Sequence, residues 1–140
     1  MKVREIMTEH PTCATADQTL ADAARMMKEC DCGAIPVVED QASRRPLGII
    51  TDRDIVIRGI AEGQQPATTA IQSCMTKSLV TVGLDEDLDD CVKLMERHQV
   101  RRILVVDDDA VAGIVTQAHI ARNASKSIAG DMVQEISEER

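Results

Sequence analysis

Gly48-Ile49-Ile50-Thr51-Asp52-Arg53-Asp54 is answered later in the chain by Gly113-Ile114-Val115-Thr116-Gln117-Ala118-His119. The correspondence extends outward on both sides. Met7-Thr8 recurs as Met75-Thr76, 68 positions on (75 − 7), and Leu20 recurs as Leu88 and Met27 as Met95 at the same offset. Ile35 with Val37-Val38 recurs likewise as Ile103 with Val105-Val106. The glycine strings are 65 apart (113 − 48), so one loop is three residues shorter in the second copy. A period this long marks a duplicated small domain rather than a solenoid turn. Agreement between the copies reports the fold, and differences report what one copy does that the other does not.

A chain of 140 residues makes one ordinary domain or two very small ones. A unit of roughly 60 residues is marginal alone, because it buries only about 60% of its unfolded surface. The copies are therefore expected to share an interface, and to share another with a second chain as a homodimer. With no Phe, Tyr or Trp, the core must come from Ile, Val, Leu, Met and Ala. The lack of stacking platforms and a formal net charge of −8 both argue against nucleic-acid binding. No apolar run approaches the roughly 20 residues of a membrane span, and the charged stretch Met1 to His10 does not resemble a signal peptide. These features predict a cytoplasmic protein. Five cysteines rule out a complete intrachain disulfide framework. Cys30 and Cys32 read as too close in sequence for an ordinary bridge, and reduced thiols fit the cytosol.

Within the first copy, Pro11 to Thr15 reads as extended. Asp17-Gln18-Thr19 starts a helix whose inward positions are Leu20, Ala23-Ala24 and Met27, and Gly33 ends it. Ala34 to Val38 and Leu47 to Thr51 read as strands joined by a polar loop, and Asp52 to Ile60 as a second helix closed by Gly63. The second copy repeats this β-α-β-β-α order. Val80 to Val82 is extended, Leu84 to His98 helical, and Ile103 to Val106 and Val111 to Thr116 are strands across the acidic turn Asp107-Asp108-Asp109. The last helix runs from Gln117 to about Ser127. The expected organisation is a first unit over 1–61, a linker over 62–70, a second unit over 71–127 and a tail over 128–140.

Three strings carry a resemblance: Gly33-Ala34-Ile35-Pro36-Val37-Val38, Gly48 through Ile55, and Val100-Arg101-Arg102-Ile103-Leu104-Val105-Val106. With their repeat they make the chain, from about Val3 to Asn123, similar to a tandem pair of cystathionine-β-synthase (CBS) domains, a Bateman module. The resemblance implies an α+β fold of two β-α-β-β-α units packed sheet to sheet with pseudo-twofold symmetry. It also implies an adenosine-containing ligand (AMP, ADP, ATP or S-adenosylmethionine) and a stand-alone regulatory or energy-sensing module that is not an enzyme.

Thr51 and Asp54 admit two readings from their own chemistry. A carboxylate accepts hydrogen bonds from both ribose hydroxyls, and a helix start with a hydroxyl beside it attracts phosphate. Thr51-x-x-Asp54 is equally close to a capping box, worth about 1 kcal/mol of helix stability. The second copy has Thr116 but His119 in place of the acid. The resemblance implies that the Asp54 cleft takes its phosphate ligands from the other copy, at Arg101 and Arg102. The positions matching the arginines opposite His119 are Gly33 and Ala34. One ligand per chain follows, held by Thr51, Asp54, Arg101 and Arg102 with Arg53 assisting and Val80 and Leu104 lining the base. Guanidinium forks suit phosphate, although a basic pair in an acidic protein also balances carboxylates such as Glu96 and Asp107-Asp108.

The remaining constellations read as structural. Cys30-Asp31-Cys32 with Cys13, His10 or His98 lacks the second ligand pair of a zinc site, so no metal is expected. Met26-Met27, Met75 and Met95 fill core gaps where aromatics would sit. No Ser/His/Asp or Cys/His set and no Gly-rich phosphate loop is present, so neither catalysis nor a resident cofactor is expected. The sensor reading competes with a ligand-independent dimerisation or adaptor module for an unidentified protein target.

Overall fold

The computed structural model describes residues 1–77 and 80–124. The tail over 128–140 and the end of the last helix lie outside the described residues. The chain divides into two compact units that do not follow the order of the copies. Pro11–Leu79 forms one unit with Asp109–Val111, and Met1–His10 joins Val80–Asp108 and the chain from Ala112 onward.

The first-copy unit has a three-stranded sheet of β2 (Ala14–Thr15), β3 (Ala34–Val38) and β4 (Pro46–Thr51), in that order. β2 runs parallel to β3 and β4 antiparallel to it. Pro36 sits in the middle strand, yet β2 pairs only with Val37 and Val38, so its missing N–H interrupts no pairing on that side. Helix α1 (Leu20–Cys30) starts at Thr19, which exchanges hydrogen bonds with Asp22 in a capping box. Leu20, Ala23 and Met27 are its buried positions, while Ala24 is exposed. They meet Ile35, Val37, Ile50, Ile55 and Ile71 in one apolar core.

The second-copy unit holds a four-stranded sheet ordered β1 (Thr8–Glu9), β7 (Ala110–Thr116), β6 (Arg102–Asp107), β5 (Thr81–Gly83). Its core joins Val3, Leu88, Cys91, Met95, Ile103, Val105, Val115 and Ile120. Two residues in left-handed backbone, Asp108 (φ 52°) and Asp109 (φ 63°), close the β6–β7 hairpin. A primed turn needs that conformation at both central positions, which is why this loop could lose three residues.

Each unit is completed by a Met-Thr segment. Thr8 pairs with Ile114 and Glu9 with Gly113 on β7. In the first-copy unit Thr76 bridges Ile49 on β4, with Ile49 N–H to Thr76 O at 3.0 Å and Thr76 N–H to Ile49 O at 2.9 Å. The paired glycines make the approach possible. A Cβ on Gly48 would lie 2.4 Å from the Thr76 carbonyl oxygen, and one on Gly113 would lie 2.4 Å from Met7 Sδ and 2.9 Å from the Thr8 oxygen.

Four local expectations are corrected. Helix α1 ends at Asp31, not Gly33. Asp31 is left-handed (φ 53°) and donates its N–H to the Met27 carbonyl, a conformation Asp tolerates. Gly33 is small for another reason, since a Cβ there would lie 2.9 Å from Asp52 Oδ2. Secondly, α3 spans Leu88–His98 behind Asp87. Leu84 stands before it, its carbonyl accepting the Arg4 N–H, and the Glu86 N–H turns back to the Gly83 carbonyl. Thirdly, the second helix of the first copy, α2, continues beyond Ile60. One α-helical turn (Asp52–Asp54) passes into a π-helical stretch (Ile55–Gly59) and a 3₁₀ turn (Ile60–Glu62), before Gly63 stops it at φ 79°. Finally, Cys30 and Cys32 are joined as a disulfide. The reversal at Asp31 leaves their Cα atoms 5.4 Å apart, inside the range a disulfide spans.

Candidate functional site

The strand-to-helix corner at Thr51 is built as a reciprocal cap. The Thr51 N–H donates to Asp54 Oδ2 at 3.1 Å, and the Asp54 N–H donates to Thr51 Oγ1 at 3.0 Å. This satisfies two donors that a helix start would otherwise leave unpaired. Asp54 is 8% exposed, which sets it apart from Asp22, whose capping box with Thr19 is otherwise the same. Its Oδ2 also receives a long hydrogen bond from the Thr76 hydroxyl at 3.5 Å. Its Oδ1 faces Arg58 Nε at 3.8 Å, one turn along α2. Arg58 in turn donates to the Met75 carbonyl at 3.3 Å. Asp54 is thereby tied to its own helix and, through Thr76 and Arg58, to the Met75-Thr76 segment. Arg58 was missed in the sequence, where the Asp54–Arg58 spacing of four was its available signal.

Around this corner Asp52 and Arg53 are exposed, and Asp52 Oδ1 accepts the Arg53 N–H at 2.8 Å. The Asp52 N–H donates to the Gly33 carbonyl at 3.0 Å. In the second-copy unit the matching bond runs from the Gln117 N–H to the Arg101 carbonyl, also at 3.0 Å. Arg101 is exposed and Arg102 half-buried where β6 begins, Val80 packs partly against the core, and Leu104 is fully buried in β6. Thr51, Asp54 and Arg53 thus lie together at one corner, while Val80, Arg101, Arg102 and Leu104 belong to the other compact unit.

The corresponding corner of the second-copy unit begins α4 (Gln117–Ala124) and keeps the same frame with a different group inside it. The Thr116 N–H donates to His119 Nδ1 at 3.0 Å and the His119 N–H to Thr116 Oγ1 at 3.2 Å. His119 Nε2 lies 3.1 Å from the Thr8 hydroxyl. With Nδ1 accepting, the neutral ring carries its proton on Nε2 and donates it to Thr8. Burial, with Arg122 adding to it, holds the imidazole below its ordinary value of 6.5.

The sign of the pH effect follows. Below 6.5 the unfolded chain takes up the proton more readily than the folded one, so this contribution is complete above 6.5. It is lost as pH falls through the window from 6.5 toward the lowered folded value. His119→Asp, which recreates the cap of the other unit, should flatten this part of a urea-midpoint-against-pH curve. Superimposable curves for the two proteins would refute the role of His119 in the cap.

Among the described residues no group of three or more His, Cys, Asp or Glu side chains is placed to hold a metal ion. Among them, too, no helix is long and apolar enough to cross a membrane.

The chain is similar to known proteins over most of its length. The CBS domain family matches the chain twice, over residues 3–59 and 71–126. Hypoxic response protein 1 of Mycobacterium tuberculosis is 40% identical over 120 residues, 86% of this chain and 82% of the relative. The crystal structure of Hypoxic Response Protein I with two coordinated zinc ions superposes with a TM-score of 0.78 at 38% identity, covering 87% of this chain and 98% of that one. The CBS domain pair of protein MJ0100, in complex with 5′-methylthioadenosine and S-adenosyl-L-methionine, does so with a TM-score of 0.79 at 28% identity, covering 90% and 97%.

Proposed function

The chain belongs to the CBS-domain family, and on that premise we propose that it is a regulatory sensor, not an enzyme, binding one adenosine-containing ligand per chain. The ligand class is AMP, ADP, ATP or S-adenosylmethionine, in keeping with the adenosine compounds bound by the MJ0100 pair. The observation that carries the reading is the difference between two corners of the same design. Thr51, Thr76 and Gly48 match Thr116, Thr8 and Gly113, but a nearly buried carboxylate stands in one and an imidazole in the other. Capping alone is served by either group, and in this reading the acid at Asp54 has the further use of holding the ligand.

In this proposal Asp54 holds the ribose hydroxyls through Oδ1 and Thr51 helps at the helix start. Arg101 and Arg102 meet the phosphates with Arg53 assisting, and Val80 and Leu104 contact the base; family resemblance supplies this division. The working form is a cytoplasmic homodimer signalling to a protein target. Val56, Ile57 and Ile60 on α2, 51%, 48% and 55% exposed, offer an apolar face for the second copy. A ligand acts as a signal only by favouring one arrangement of the protein over another.

Thermal unfolding with each compound alone tests this. A ligand at 100 times its dissociation constant adds about 2.7 kcal/mol, which is several degrees for a chain of this size. One specific observation favours the adaptor reading instead, because Thr51, Thr76 and Arg58 already engage both oxygens of Asp54. That reading expects an intact dimer whose melting responds to none of the compounds.

A further inference from the structure

We propose that Cys30 and Cys32 are a redox-active pair, a disulfide that opens and closes by exchange with a low-molecular-weight thiol. The sulfurs are joined at the end of α1, where the Asp31 and Cys32 N–H groups both turn back to the Met27 carbonyl. Cys30 is exposed, whereas Cys32 is half-buried against the first-copy core. Access therefore directs the attacking thiolate to Cys30. The S–S bond breaks as the new bond to Cys30 Sγ forms, and Cys32 leaves as a thiolate and takes up a proton. A second thiolate then attacks the sulfur of the small thiol in the mixed disulfide, releasing Cys30 as a thiol and the small thiol as its own disulfide. Two electrons pass from two small thiols to the protein, and the reverse sequence reoxidises it.

The chemistry is confined to this pair by the state of the other cysteines. Cys13, Cys74 and Cys91 are free and buried, and burial raises each thiol, Cys91 to about 11, which suppresses the reactive thiolate. The position is also informative. Gly33, next after Cys32, receives the Asp52 N–H at 3.0 Å, so the pair lies on the segment that anchors the start of α2. The proposal goes beyond the ligand reading and does not depend on it.

The full chain would be equilibrated natively in oxidised and in reduced glutathione buffers, acid-quenched, denatured, alkylated and mapped by mass spectrometry. The expected result is three alkylated cysteines per chain after oxidation and all five after reduction. The change should fall on the Cys30–Cys32 peptide, which is lighter by two hydrogens when oxidised and unalkylated. Cys30→Ser should abolish that lighter peptide. Alkylation of both residues after oxidation, a bridge that survives the reduced buffer, or oxidation mapping to Cys13, Cys74 or Cys91 would each overturn the proposal.

Discussion

Replacing Asp54 by Ala is expected to weaken binding of the proposed adenosine ligand at least tenfold while the protein remains folded. Hydrogen bonds to a charged group contribute about 1.5–3 kcal/mol each, and the proposed ribose contact uses that carboxylate. The same substitution also removes the partner of the Thr51 N–H, a cap worth about 1 kcal/mol. Two variants separate these effects. Asp54→Asn keeps an acceptor for Thr51 and loses the charge, so affinity falls while the melting temperature of the free protein changes little. His119→Ala removes the corresponding cap of the other unit and leaves affinity unchanged. Equal losses of affinity from Asp54→Ala and His119→Ala would contradict the assignment of one site per chain.

Gly48→Val is expected to cost about 3 kcal/mol, the upper end for inserting volume where none is free. The added carbon meets the Thr76 carbonyl oxygen at 2.4 Å, a backbone atom that cannot rotate aside. The Met75-Thr76 segment must then leave β4, breaking both hydrogen bonds between Ile49 and Thr76. Against a total stability of about 5–15 kcal/mol, this is a large fraction. Gly113→Val should act similarly on the second-copy unit, where Met7 and Thr8 occupy the space. Gly83→Ala is the control, because its nearest neighbour lies 3.8 Å away. Urea unfolding of the three variants gives the comparison, and a Gly48→Val midpoint equal to that of Gly83→Ala would refute the close approach.

These glycines show what the sequence made readable. The duplication makes equivalent positions readable, since Gly113 and Thr116 echo Gly48 and Thr51 at the same spacing of three and Met7-Thr8 echoes Met75-Thr76. It also exposed the exchange of Asp54 for His119. The partners of the repeated pieces were less visible. Thr8-Glu9 and the Thr76 bridge are too short to show strand alternation, so only three-dimensional pairing reveals that Met1–His10 serves the second-copy unit. Gly33 has the look of a stop signal for α1, whereas Asp31 makes the turn and Gly33 makes room for Asp52. The same reversal joined Cys30 to Cys32. The spacing of four between Asp54 and Arg58 is legible in the sequence, but the reach of Arg58 to the Met75 carbonyl is a contact that no local pattern announces.

Isothermal titration of the intact protein with AMP, ADP, ATP and S-adenosylmethionine, in wild type and Asp54→Asn, tests the sensor assignment most directly. The prediction is saturable binding of at least one compound at one equivalent per chain, weakened at least tenfold by the substitution. Absence of binding by all four, two equivalents per chain, or undiminished affinity in Asp54→Asn would contradict it.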